Sequence, residues 1–247
     1  MVLSIMTILP DYRQFNRNFK LDLLEYYNNL FRASSKDILE GNHFIDYQIN
    51  SSSDNRFGLT LIIKPNAQIK KNIQFFFNEL KTIDSSQYYY PLSDIHITVI
   101  SIISCYDGFN LTNISLPQYI EIIKTSIADI KNMVIDFKGV TASDSAIMIQ
   151  GFPMNDSLNK LRSNLRQNFK SSGLEQSIDK RYSIFTAHST VVRFSERIKN
   201  SVKFVETLEK YRQYNFGRFE VENLELVYND WYLREKFIQQ LNSFSIK

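Results

Sequence analysis

Three histidines occur in the 247 residues, His43, His96 and His188. Two of them open the same frame, His96-Ile97-Thr98-Val99 and His188-Ser189-Thr190-Val191. In an extended strand, residues i and i+2 point to one face. Each histidine therefore shares a face with its threonine, while Ile97, Val99, Ser189 and Val191 turn the other way. Imidazole titrates near neutrality, so one copy can be neutral while the other is protonated, as concerted general base and general acid catalysis requires. The hydroxyls can donate hydrogen bonds to non-bridging phosphate oxygens without adding a nucleophile of comparable basicity. Such a pair suits attack at phosphorus on one side and departure of an oxygen on the other. His43 has no such frame and reads as a structural or surface residue.

Two strands must carry these frames, and the surrounding pattern supplies them in two passes. Phe57–Ile63 is a β-rich run closed by Lys64-Pro65, and Ile69, Ile73, Phe76/Phe77 and Leu80 follow at helical spacing. Ile95–Ile103 is a second strand. Ser115-x-x-Gln118 matches a capping box and opens a helix carrying Ile120, Ile123, Ile127 and Ile130, before the strand Val134–Phe137. The second pass has the strand Ala146–Ile149, closed by Gly151-Phe152-Pro153. A stripe of Leu158, Leu161, Leu165 and Phe169 then ends at Ser171-Ser172-Gly173. A strand within Tyr182–Phe194 carries the second motif. Ser195 is placed to cap a helix with Val202, Val205, Leu208 and Tyr211 as its stripe, and Val221–Tyr228 is the last strand. The passes align as one duplicated β-α-β-α-β unit in a pseudo-twofold α+β fold, with the histidines about 90 residues apart. The repeats run over about 56–140 and 144–247. Residues 1–55 form an N-terminal extension, helical where Phe15, Phe19, Leu23, Tyr26 and Leu30 recur, with loops at Ser34-Ser35 and Ser51–Asn55.

Composition narrows the alternatives. Apolar residues make up 43% and aromatic residues 14%, which excludes intrinsic disorder. The net charge of +3 is only weakly suggestive of an anionic partner. The single Cys105 excludes an internal disulfide or a multi-cysteine metal site and reads as a small buried hydrophobe. Neither G-x-G-x-x-G nor G-x-x-x-x-G-K-[ST] is present, and no strong metal-binding motif is found. No cofactor and no metal are therefore expected. Met1–Pro10 is too short to span a bilayer and has no basic leader, so a cytoplasmic monomer without membrane contact is the default.

Two H-x-T-φ motifs in two β–α repeats resemble the two-histidine (2H) phosphoesterase superfamily, which includes bacterial RNA 2′,3′-cyclic phosphodiesterases once named 2′-5′ RNA ligases. The resemblance covers about Arg56 to Phe244. It implies a bilobal pair of antiparallel sheets with outer helices, the motif strands facing each other across a central cleft. It also implies His96 and His188 as the catalytic pair, and Thr98 and Thr190 as phosphate-binding residues. Arg193 falls at the basic position of H-x-T-x-x-R and would assist with phosphate or fix its strand. The implied activity is metal-independent hydrolysis of a 2′,3′-cyclic phosphate on a nucleotide or RNA end. Which histidine is acid and which base stays open.

The same cleft would also suit a cyclic dinucleotide or a 2′-5′ linked oligonucleotide, or a nucleotide- or RNA-binding protein without turnover. Tyr90, Tyr228 and Trp231 are candidates for stacking on a base, with packing as the plainer reading. Lys160, Arg162, Arg166 and Lys170 read as a solvated helix face, with RNA steering as the alternative.

Overall fold

Alternation of strand and helix patterns becomes two interleaved antiparallel sheets. The computed structural model describes residues 17–246; Phe15 of the expected N-terminal stripe and the run Met1–Pro10 lie outside them. The first unit comprises β1 (Arg56–Ile63), α2 (Ala67–Ile83), β2 (Tyr88–Tyr89), β3 (Ile97–Asp107), α3 (Leu116–Ile127) and β4 (Val134–Ala142). The second comprises β5 (Ala146–Pro153), α4 (Ser157–Ser172), β6 (Ser189–Arg193), α5 (Ser201–Lys210), β7 (Asn215–Glu220), β8 (Asn223–Asp230) and β9 (Gln239–Ser245). Helix α1 (Arg17–Glu40) precedes both.

The strand orders are β3-β1-β8-β9 in one sheet and β2-β6-β5-β4-β7 in the other. Each unit thus lends its last long strand to the other sheet. β4 pairs antiparallel with β5, and β8 pairs antiparallel with β1. The lobes are held by ladders of hydrogen bonds as well as by the chain. β3 is an edge strand, so part of its backbone has no strand partner. Helix α4 packs against α3 and β3, and α1 packs against β4, β5 and α5. Among the described residues, no helix is long and apolar enough to cross a membrane.

Several expectations shift. Ser34 and Ser35 lie inside α1, not in a loop; both are buried, and the Ser34 hydroxyl donates to the Ala142 carbonyl at 3.0 Å. The buried seam of α1 is Phe19, Leu23, Tyr27, Phe31 and Ile38, while Tyr26 and Leu30 are only half-buried. The Ser115 capping box does not close: its side chain makes no cap bond, and the Gln118 N–H bonds the Ser115 carbonyl instead. Ser195 does not cap α5. Asn200 does, its side chain accepting from the Lys203 N–H, which turns Val202 outward at 58% exposure. The short strands β2, β7 and β9 have no counterpart in the sequence reading.

Gly151 is required by close approach. A Cβ there would lie 1.9 Å from the Ala187 carbonyl oxygen, one residue before His188. The backbone of β5 is therefore the surface against which the second motif is seated.

Candidate active site

Both motif histidines stand immediately before their strands, β3 and β6. The alternation still holds: His96 and Thr98 are half-buried around a buried Ile97, and His188 and Thr190 are half-buried around a buried Ser189. All four side chains, with Arg193, line one cavity of ≈ 440 Å³. The pairing that the sequence suggests thus becomes a shared lining.

Each imidazole is anchored through Nδ1. That of His96 lies 2.6 Å from the Asp94 carbonyl oxygen. A carbonyl only accepts, so Nδ1 carries a hydrogen, and Nε2 is the atom left to exchange a proton. The Nδ1 of His188 lies 2.6 Å from the Thr186 hydroxyl, which can donate or accept. Burial lowers the pKa of His96 below the ordinary value, and the Asp94 carbonyl opposes this by favouring the protonated ring. The pKa of His188 is lowered to about 4, first by burial and then by the positive charges of Arg162, His96 and Arg193. The two environments differ in kind: a carbonyl favours the protonated ring of His96, whereas neighbouring positive charges disfavour protonation of His188.

Arg162 is absent from the sequence-derived site and is central to the observed one. It is 1% exposed, not on a solvated face. Its Nε donates to the Val99 carbonyl at 2.8 Å, and its Nη2 donates to the carbonyls of Thr98 at 2.9 Å and Thr186 at 2.8 Å. One guanidinium thereby joins the edge strand of the first sheet to the segment that delivers His188. Desolvation lowers its pKa to about 9. On the same helix, Lys160 pairs with Asp129 and Arg166 with Asp179, each at 2.6 Å.

Arg193 is oriented from two sides. Its Nε donates to the Tyr90 hydroxyl at 3.1 Å, and its Nη1 lies 3.5 Å from the Asp46 carboxylate. Asp46 also accepts from the Tyr232 hydroxyl at 2.8 Å.

The stacking candidates separate. Tyr90 is 3% exposed and serves as a hydrogen-bond partner of Arg193, with no ring face open to a base. Tyr228 does not line the cavity; it stacks on Phe57 at 4.9 Å and its hydroxyl donates to the Phe109 carbonyl. Trp231 does line it, but the Arg56 and Arg181 guanidiniums lie 4.4 and 4.5 Å from its ring centroid. Tyr26, Tyr27, Tyr182 and Tyr232 also line the cavity; sequence reasoning placed Tyr26 in a helical stripe and none of the four at the site. His43 lies elsewhere, edge-on to Phe194 and accepting from the Ile198 N–H. Cys105 is buried, and burial pushes its thiol pKa up to about 12. Among the described residues, no group of three or more His, Cys, Asp and Glu side chains is placed to hold a metal ion.

Comparison with solved structures gives the architecture its place. E. coli LigT complexed with 3′-AMP is similar over 78% of this chain and 99% of its own, at a TM-score of 0.53 and 12% identity. TT0787 of Thermus thermophilus is similar over 76% of this chain and 97% of its own, at 0.55 and 14%. The chain has the fold of these two structures, two antiparallel sheets with outer helices as the two-histidine resemblance implies. The conserved protein ATU0111 of Agrobacterium tumefaciens, of unknown function, is similar over 83% of this chain and 96% of its own, at 0.54 and 13%. No family model and no curated protein matches the amino-acid sequence. Nearly the whole of LigT is covered by about four-fifths of this chain. The remaining fifth is close in length to the 55 residues that precede β1.

Proposed function

We propose that this protein is a phosphodiesterase that hydrolyses the 2′,3′-cyclic phosphate of a nucleotide or RNA end, with two histidines moving the protons and no metal ion required. His188, kept neutral, takes a proton from water as its oxygen attacks phosphorus. The bond from phosphorus to one ribose oxygen breaks, and the Nε2 of His96 delivers the proton that oxygen needs. One water is consumed and the ring opens to a phosphomonoester, a nucleoside monophosphate from a nucleotide or a terminal phosphate on RNA. Thr98, Thr190 and Arg193 hold the non-bridging oxygens, where charge builds up in the transition state.

The observation that carries this reading is the common lining: two imidazoles in unlike electrostatic surroundings, two hydroxyls and one arginine around a single cavity. The structure of E. coli LigT with 3′-AMP adds support, since a nucleoside monophosphate is the kind of product the reaction releases. The test is hydrolysis of nucleoside 2′,3′-cyclic phosphates in excess EDTA. Each acid or base contributes about 10²–10⁴ in rate, so His96→Ala and His188→Ala should each lose at least a hundredfold in kcat. Undiminished turnover in either variant, or loss of turnover in EDTA, overturns the assignment. Cyclic dinucleotides and 2′-5′ linked oligonucleotides in the same assay test the rival substrates.

A further inference from the structure

Among the described residues, the segment that precedes β1 is not a free appendage. The Tyr27 hydroxyl donates to the Gly151 carbonyl at 3.2 Å, and the Thr141 hydroxyl donates to the Tyr27 carbonyl at 2.8 Å. The Arg212 guanidinium lies over the Phe31 ring at 4.1 Å, fixing the middle of α1 against the body. Further along, the Phe44 N–H bonds the Asp144 carbonyl and the Asp46 N–H bonds the Phe194 carbonyl. Thus α1 is held rigidly, and it presents Tyr26 and Leu30 to the cavity that contains both motif histidines.

Tyr26 meets a second aromatic group there. Its ring is edge-on to Phe185 at 4.8 Å, three residues before His188. The phenol of Tyr182 is close enough to act electrostatically on that of Tyr26. Tyr182 is 70% exposed and sits in the irregular segment between α4 and β6. Charge at the cavity is sparse. Among the described residues lining it, Arg193 is the one arginine or lysine and Asp144 the one carboxylate. A phosphate chain recognised by charge needs a series of cations, whereas a single phosphate needs one.

We propose that α1 is a substrate-binding wall whose Tyr26, together with Tyr182, grips the nucleobase, making a base-bearing mononucleotide the preferred substrate of this site. The inference rests on the cyclic-phosphate reading above and narrows it. It assigns substrate selection to the helix that precedes both repeats.

The experiment compares adenosine 2′,3′-cyclic phosphate with ribose 2′,3′-cyclic phosphate, which lacks the base, using the full-length protein. Base stacking of ordinary strength predicts that Tyr26→Leu and Tyr182→Ala each raise KM for the adenosine compound roughly tenfold. Neither should alter kcat or the kinetics of the ribose compound, and Tyr26→Phe should restore KM. Equal losses on both compounds would mean that the tyrosines merely support the fold, and no loss would mean that the base sits elsewhere; either overturns the proposal. A cyclic-phosphate-ended oligoribonucleotide bound more than about tenfold tighter than the mononucleotide also overturns it. If neither compound is turned over, the hydrolase reading fails, and calorimetry then decides the present one. Binding of adenosine 3′-monophosphate that weakens about tenfold in Tyr182→Ala, with inorganic phosphate binding unchanged, sustains the wall. Binding unaffected by the substitution, or absent, rejects it.

Discussion

Replacing Arg162 with methionine should damage stability and catalysis together, and for separable reasons. Its guanidinium bonds the Thr98, Val99 and Thr186 carbonyls in a site 1% exposed. Hydrogen bonds to a charged group contribute about 1.5–3 kcal/mol each, and an orphaned buried acceptor costs about 1–3 kcal/mol. Against this stands the desolvation of a guanidinium that faces carbonyls and no carboxylate, itself several kcal/mol. The two sides leave a net loss of about 3–5 kcal/mol, of the size seen when one member of a buried charged network is deleted. For a chain of this length that is a fall in Tm of roughly 10 °C. Catalysis should fall further than stability explains, because the lost bonds join the Thr98 segment to the one preceding His188. A displacement of about 1 Å between acid and base is enough for roughly a hundredfold in kcat. The pH profile supplies the discriminating readout. The charge of Arg162 is the second-largest cause of the low His188 pKa, so its removal should move the acid limb of kcat/KM to higher pH. Arg162→Lys keeps the charge but loses the fork, so the limb should stay while the rate drops. A methionine variant with Tm within about 2 °C, kcat within about threefold and an unmoved acid limb would refute the clamp.

Acid should destabilise the protein through His188. Its folded pKa of about 4 lies below the ordinary 6.5, so the unfolded chain binds the proton more readily. Stability is then fully present above the higher value, declines as pH falls from 6.5 towards 4, and loses no more below it. The span corresponds to about 3 kcal/mol. Urea midpoints at the two ends of that window should differ less for His188→Asn than for the parent, and an equal difference would contradict the assignment. Gly151→Ala should force the Ala187 carbonyl away from β5, since the added Cβ has 1.9 Å where none fits. A Tm lowered by several degrees, with kcat reduced more than KM is raised, is the expected outcome in thermal melts and steady-state kinetics; unchanged kinetics would detach β5 from the placement of His188.

The architecture is legible where periodicity and chemistry coincide. The apolar runs of β1 and β3 and the stripes of α2 and α4 are buried on both sides or on one clear face, so their spacing survives in the sequence. The weak strands do not survive. Asn215–Glu220 is an edge strand with an irregular register against β4, and Gln239–Ser245 is mostly polar because one side meets solvent. Neither pattern differs from a loop until the neighbouring strand is known. Cap choice fails for a similar reason. Ser195 and Asn200 are both competent caps, and the Ser195 hydroxyl is already bonded to the Ser86 carbonyl.

In the candidate site, the paired histidines are readable and the residues that hold them are not. A histidine frame repeated in two strands is improbable without a reason, so His96 and His188 stand out against a chain with one other histidine. Arg162 lies in a helix segment with Lys160, Arg166 and Lys170, and by type alone nothing distinguishes the buried cation from the exposed ones. One signal was available. Arg162 follows Leu158 by four positions and precedes Leu165 by three, so it shares the apolar face of α4 and cannot be solvated with its neighbours. A cation in that stripe requires buried acceptors, and the free edge of β3 supplies two of them. The helix that places Arg162 and the edge strand that receives it therefore determine each other. Exchanging the arginine for a hydrocarbon would fill the same space, but it would leave the edge carbonyls unmet at the point where the two motif segments must be held together.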